Sequence, residues 1–493
     1  MTNEMVSANT KSGPVMGQRS SGIAKFLGIP FAAPPVGDLR FEAPQPVSPW
    51  VEPRQCVEFS GVAPQDSSTM EMLLGGDKDP QSEDCLYLNV FTPAADDVKR
   101  PVMVWIHGGA FTIGSARTPW YHGGNLATRG DVVVVTINYR LGALGFLHLP
   151  SQPTSGNNGI LDQIAALEWV QANITNFGGD PANVTIFGES AGAMSVGTLM
   201  AIGRPGELFH KAILQSGAGH HVRTPEFANA VTTGVCDGIG IDATDITALR
   251  NVSVADLLAA QSAVEGKMTG DAGLPFSPVV DGIVLAHRPI DAIAAGSAKE
   301  IPVLTGTNLD EMKLFVVGAP AAWGDPDATL TKRFGADMVR LYVEMDPDRA
   351  PLDRGVAMVS DFTFGIPAVR LLDAQINAGA PPCYRYRFDY KSTAFGGLLG
   401  ACHALELPFV FDNMDSPGAR AFAGEADGQD ELAGLMAQAW VTFARTGNPN
   451  CDGLPEWHAY THETLETLTF DNSQRAIVID FDAAERRAWD GLR

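Results

Sequence analysis

Val184-Thr-Ile-Phe-Gly-Glu-Ser-Ala-Gly-Ala-Met-Ser-Val-Gly-Thr-Leu-Met200 decides how this chain reads. Its first four residues are β-branched or aromatic and predict a buried strand, whereas the Ala-rich run from Ala191 to Met200 predicts a helix. Between them, Gly188-Glu189-Ser190-Ala191-Gly192 gives a G-x-S-x-G pattern, so Ser190 falls on a sharp strand-to-helix turn that displays its hydroxyl. Glycines at 188 and 192 permit the strained backbone and a close approach of helix to strand. The helix amino terminus favours negative charge developing beside Ser190. In a chain with 52 glycines the motif alone is weak, and its strand-to-helix context gives it weight.

Outward from this turn the chain alternates strand candidates with helical stretches. Val102–Ile106, Val132–Ile137, Val184–Phe187, Ala212–Leu214 and Ile301–Leu304 read as buried strands, the pattern of a mostly parallel sheet covered by helices on both faces. The class is α/β. Leu161 to Ile174 places Leu161, Ile164, Leu167 and Ile174 along one side of a helix. Leu432 to Ala444 repeats Leu432, Leu435, Met436, Ala439 and Phe443 before Gly447 and Pro449 stop it. Both stripes predict core packing. Residues 1–60, rich in Gly and Pro, suit β-hairpins and edge strands, and Gln65 to Glu83 reads as a long surface loop. With no repeat or linker, residues 1–493 are expected to form one domain.

Composition sets the outer bounds. The chain has 493 residues, 45% hydrophobic and 18% charged, enough to bury a sizeable core and too apolar for disorder. No apolar run reaches the roughly 18 residues that span a bilayer, so no membrane span is expected. Acidic residues number 57 against 34 basic, a net charge of −23, which repels polyanions and disfavours nucleic acid. The first residues lack the charged-then-apolar pattern of a secretory signal. Six scattered cysteines fit neither a zinc site nor a disulfide scaffold, so the cytoplasm is the expected compartment.

A serine hydroxyl at its ordinary pKa needs a base and an oxyanion site. Trp105-Ile-His-Gly-Gly-Ala-Phe111 follows a strand, and its glycines can turn backbone N–H groups toward an oxyanion. Gly109 and Ala110 are the candidate donors there, with the N–H of Ala191 as the third. Chain order after an elbow serine is acid, then histidine. Asp310 and Glu311 both end the strand-like run from Ile301. His210, His220, His221, His287, His403, His458 and His462 all follow Ser190, and spacing does not choose among them.

From about residue 10 to residue 475 the chain resembles the type B carboxylesterases of the cholinesterase family, which have the α/β-hydrolase fold. Five stretches carry the likeness: Phe26–Phe41, Ser82–Val90, Asn138–Gly142, Phe177–Pro181 and Phe187–Gly192. Gly306-Thr-Asn-Leu-Asp-Glu311 resembles the segment carrying the family's acid, and Cys402-His-Ala-Leu-Glu-Leu-Pro408 the segment carrying its histidine. The resemblance therefore implies a triad of Ser190, Glu311 and His403. Within the family the bacterial para-nitrobenzyl esterase type is nearest, on His403–Phe411.

The resemblance implies hydrolysis of small carboxylic esters through an acyl-enzyme, with no metal or organic cofactor required. An amidase, carbamate hydrolase or lactonase would use the same residues, and a non-catalytic binding protein of this fold is a further alternative. Arg40 with Glu83 and Arg140 with Asp162 resemble structural ion pairs. Secreted members pair the cysteine equivalent to Cys85 with one that would fall near Ala63, so that bridge is expected to be missing here, with Cys56 a substitute to be tested. No tryptophan occurs between Gln65 and Asp84, which disfavours a choline ester. Ala272 and Leu274 occupy the segment where acetylcholinesterases place bulky phenylalanines, which implies a wider acyl pocket.

Overall fold

Alternation within the central strands dictates the architecture. The computed structural model describes residues 4–67, 79–202, 204–268, 273–318 and 324–490. An amino-terminal set comprises β1 (Glu4–Thr10), β2 (Gly13–Ser20), β3 (Ile23–Pro30) and the short β4 (Arg54–Gln55). The central strands are β5 (Tyr87–Thr92), β6 (Arg100–Ile106), β7 (Val133–Ile137), β8 (Gly179–Glu189), β9 (Lys211–Gln215), β10 (Val303–Asn308), β11 (Tyr384–Phe388) and β12 (Glu466–Phe470), and β13 (Arg475–Ile479) comes last. Val102, Val104 and Ile106 pack with Val133, Val135, Ile137, Val184 and Ile186 in one apolar cluster. The intervening Met103 and Trp105 enter a second cluster with Val134, Phe187 and Ile213. Because successive side chains point to opposite faces, this sheet is buried on both.

Helices supply the two covers. Asn158–Asn173 and Ala191–Ala201 contribute Ile160, Leu167, Val170, Val196 and Leu199 to the first cluster, and Gln429–Thr446 contributes Leu432, Met436, Trp440 and Phe443 to the second. Gly447, at φ 80°, ends that last helix, where only glycine adopts the left-handed turn cheaply. Among the described residues one thirteen-stranded sheet runs in the order β1-β2-β3-β5-β7-β6-β8-β9-β10-β11-β12-β13, with β4 on β2. The stretch from β7 to β12 is parallel. Antiparallel pairing of β1, β2 and β3 builds the amino-terminal flank, and antiparallel β13 closes the other edge.

Register brings the strands' carboxyl ends abreast. Ile106 stands opposite Gly188, Glu189 opposite Gln215, Gln215 opposite Gly306 and Asn308 opposite Phe388. The chain places β7 on one side of β6 and β8 on the other, and in such sheets the loops leaving the carboxyl ends at that reversal enclose the site.

Three expectations shift in detail. The strand predicted at Ile301–Leu304 runs Val303–Asn308, since Pro302 has no N–H to give and enters pairing only through its carbonyl, which accepts from Ala212 N. The helix predicted from Leu161 starts at Asn158 and leaves Leu161 and Ile164 half-buried, because Asp162 must turn inward to meet Arg140. Pro351–Asn377 is one helical run long and apolar enough to cross a membrane by length and composition, and 67% of its apolar window is buried in the protein. Of the loop Gln65–Glu83, residues 68–78 lie outside the described residues. Its two ends pair, Gln65 N donating to Gln81 Oε1 at 3.0 Å.

Candidate active site

Ser190 follows β8 directly and begins the helix Ala191–Ala201. Its φ of 55° and ψ of −124° are costly for a residue with a side chain, and the surroundings enforce them. Ser190 N donates to Gln215 O, and Ser190 O accepts from Met194 N, both at 2.9 Å. A Cβ on Gly192 would lie 2.0 Å from Ile106 O, so the helix can approach the sheet this closely only with glycine there.

The loop after β6 abuts this turn. His107 is buried, stacks on Tyr139 at 4.4 Å, and is pushed by burial down to about 4, hence neutral at pH 7. Tyr139 OH donates to His107 O at 2.8 Å. Gly109 takes φ 106° and Ala110 φ 55°, and Gly109 O accepts from Thr112 N and Ile113 N. Among the described residues, the N–H groups of Gly109, Ala110 and Ala191 donate to no protein partner. A Cβ on Gly108 would stand 3.1 Å from Ser190 Cβ, which measures how closely the loop and the serine turn meet.

Glu311 leaves the end of β10 and His403 the loop between β11 and β12. His403 Nδ1 donates to Glu311 Oε2 at 2.6 Å, Glu311 Oε1 accepts from Asn308 N at 2.8 Å, and His403 N donates to Glu311 O at 3.1 Å. Both side chains are buried. Asp310 faces away, accepting from Ala401 N at 3.0 Å and pairing with Lys313 at 3.2 Å. Of the two acids that spacing left open, Glu311 meets the histidine.

Nε2 of His403 lies 2.9 Å from Glu189 Oε1, and among the described residues no hydrogen bond joins the ring to Ser190. Burial opposes charge on His403, but the Glu189 and Glu311 carboxylates outweigh it and hold its pKa well above the ordinary value. Below the pair sits Glu406, fully buried and accepting from Gln215 Nε2 at 3.0 Å and Asn308 Nδ2 at 2.7 Å. Burial first, then Glu189 and Glu311, push Glu406 up to about 8, so it is mostly protonated at pH 7. Glu189 and Glu406 escaped the motif reading, although an acid wedged between Gly188 and Ser190 was a visible signal.

The remaining candidates fall elsewhere. His210 Nδ1 accepts from Val184 N, His458 pairs with Glu466, and His462 pairs with Asp373. Burial drives His220 and His221 down to about 3 and 4. Leu274 is half-buried, its carbonyl accepting from Arg223 Nε at 2.8 Å, and Ala272 lies outside the described residues. Cys56 and Cys85 are both free, and burial raises both thiols, Cys56 to about 11. Arg40 and Glu83 form a two-pronged pair at 2.7 Å, as expected of scaffold.

With this geometry in hand, the comparisons agree on one family. The carboxylesterase family model matches residues 4–489. The para-nitrobenzyl esterase of Bacillus subtilis (strain 168) is 41% identical over 96% of this chain and 96% of its own length. The phenmedipham hydrolase of Pseudarthrobacter oxydans is 36% identical over 96% of each chain. A crystal structure of a Geobacillus stearothermophilus carboxylesterase superposes with a TM-score of 0.88 at 41% identity, covering 98% of this chain and all of that one, and it shares the α/β-hydrolase fold. The chain belongs to the carboxylesterase family and is a carboxylic ester hydrolase of the serine-hydrolase kind.

Proposed function

We infer that this enzyme cleaves small carboxylic esters with Ser190 as nucleophile, His403 as base and then acid, and Glu311 as the partner that orients the ring. The observation that carries the reading is the 2.6 Å bond from His403 Nδ1 to Glu311, beside a serine displayed by its positive φ. Ser190 Oγ attacks the ester carbonyl carbon while its proton passes to His403 Nε2, and the carbonyl π electrons move onto oxygen. The N–H groups of Gly109, Ala110 and Ala191 receive that oxyanion, each donor supporting roughly 10²–10³ in rate. Collapse breaks the bond to the alkoxy group, which takes the proton from Nε2. Water then repeats the sequence on the acyl-enzyme and frees the acid and Ser190.

In the observed arrangement Nε2 faces Glu189, and a protonated ring there is held between two carboxylates and takes no proton from Ser190. Activity must therefore rise with pH as the imidazolium loses its proton. Because the pKa of His403 is raised, the acid limb of kcat/KM is expected above about 6.5. Glu189→Gln removes one carboxylate and is expected to move that limb to lower pH. A limb that stays put in Glu189→Gln contradicts this pairing.

The test of the reaction class is a matched panel of ester, amide, carbamate and lactone substrates, with the ester expected to turn over fastest. No turnover of any ester would instead favour a binding protein of this fold. Within an ester series, kcat/KM is expected to rise from acetyl to butyryl, since each buried methylene gains about 0.8 kcal/mol and the family resemblance puts leucine at 274 where acetylcholinesterases place a bulkier phenylalanine. Leu274→Phe is expected to flatten that rise, and an unchanged profile removes Leu274 from the pocket. Unpaired thiols fit a reducing cytoplasm and one domain over residues 1–493 completes the reading.

A further inference from the structure

Phe364 is buried and its ring stacks on the imidazole of His403, with centroids 4.8 Å apart and planes 27° from parallel. Phe315 also reaches the ring at 5.4 Å, but is 43% exposed, so Phe364 is the firmer wall. Phe364 sits in the π-helical turn Asp361–Gly365, the only such turn among the described residues. A π turn widens the helix by one residue and redirects the next turns of the helix, at a cost that the surroundings must offset.

Here the surroundings tie the turn down on two sides. Met312 N, next to Glu311, donates to Ser360 Oγ at 3.1 Å, so the segment touches both the acid loop and the histidine. Tyr342 OH donates to Asp361 Oδ2 at 2.5 Å and accepts from Trp489 Nε1 at 2.8 Å. Trp489, on the terminal helix Ala483–Trp489, is buried against Phe334 and Phe362, and its carbonyl accepts from Arg370 at 2.8 Å. Two hydrogen bonds, the turn from Asp361 to Phe364 and a ring stack thus link the helix Ala483–Trp489 to His403.

We propose that Phe364 is a positioning residue for His403, and that the terminal helix sets it through Trp489, Tyr342 and Asp361. This rests on His403 being the base. The aromatic face fixes the plane of the ring, whose Nε2 faces Glu189 in this structure, and favours the imidazolium; the charged groups facing that ring are Glu189 and Glu311. A leucine at 364 keeps the ring dry while removing the π face, so it tests position and charge without opening the site to water.

The experiment compares full-length wild type, Phe364→Leu, Phe364→Tyr and Tyr342→Phe in the pH dependence of a para-nitrophenyl butyrate assay, with thermal midpoints and organophosphate labelling alongside. For Phe364→Leu, kcat is expected to fall about tenfold with KM within about twofold, and the acid limb to move down by about half a pH unit. Phe364→Tyr should recover most of the lost kcat, and Tyr342→Phe should lower kcat in the same direction by less. An unchanged kcat and acid limb in Phe364→Leu, with only the thermal midpoint lowered, overturns the proposal. Should Phe364→Leu fail to fold, Tyr342→Phe decides, since it removes a single hydroxyl; wild-type kcat and limb there overturn it equally. Wild-type turnover by His403→Ala would refute the underlying reading instead, and with it this inference.

Discussion

Glu311→Gln is expected to lower kcat by about four orders of magnitude while the protein still folds. Glu311 holds His403 Nδ1 with one oxygen and accepts from Asn308 N with the other, so both oxygens are committed as acceptors. A carboxamide has one acceptor and one donor. If its oxygen stays on Asn308 N, its NH₂ faces Nδ1, which then becomes the acceptor and forces the ring proton onto Nε2. That tautomer takes no proton from Ser190. Asp310→Asn should cost far less, since Asp310 serves Ala401 N and Lys313 rather than the ring. Steady-state kcat on both variants, with circular dichroism to establish folding, checks this. The reverse order of effects would move the acid to Asp310.

Arg140→Ala is expected to destabilise the fold by about 3–5 kcal/mol, the range for stripping one partner from a buried ion pair. Arg140 donates to Asp162 through Nε at 2.8 Å and Nη2 at 2.7 Å, with side chains 3% and 0% exposed, and its Nη1 donates to Glu42 O. The alanine leaves the Asp162 carboxylate in the core without a countercharge. Replacing both members by Met and Leu should cost less than the single change, because no charge is then stranded. Arg204→Ala, which breaks exposed pairs with Glu168 and Glu207, should change stability by less than about 1 kcal/mol. Urea unfolding of the four proteins measures all three differences, and equal losses for Arg140→Ala and Arg204→Ala would contradict the argument.

Local pattern made the parallel sheet and the serine turn legible. Strands such as Val102–Ile106 are unbroken apolar runs, and a glycine-framed serine between strand and helix has few other uses. The acid and the histidine were different. Asp310 and Glu311 are neighbours with the same chemistry, and only the three-dimensional return of the loop at His403 separates them. Family likeness chose Glu311 before any distance could. Glu189, Glu406 and Phe364 were missed because their roles arise from their surroundings: an acid stands out only once it is buried beside another, and a phenylalanine only once an imidazole lies on it. The helix at Asn158 shows the converse. Periodicity counted apolar residues and rotated the buried face slightly wrong, since it gave no credit to Asp162, which is buried because it is paired.

Covalent labelling tests the central claim most directly. The wild-type enzyme, treated with a stoichiometric organophosphate until activity is lost, is digested and the adduct located by mass spectrometry. Only a serine activated by a neighbouring base attacks such a reagent quickly, so one adduct per chain is expected, on Ser190, and Ser190→Ala should neither turn over esters nor be labelled. An adduct on Ser195 or Ser216 that tracks the loss of activity, or full inactivation with Ser190 unmodified, would contradict the account.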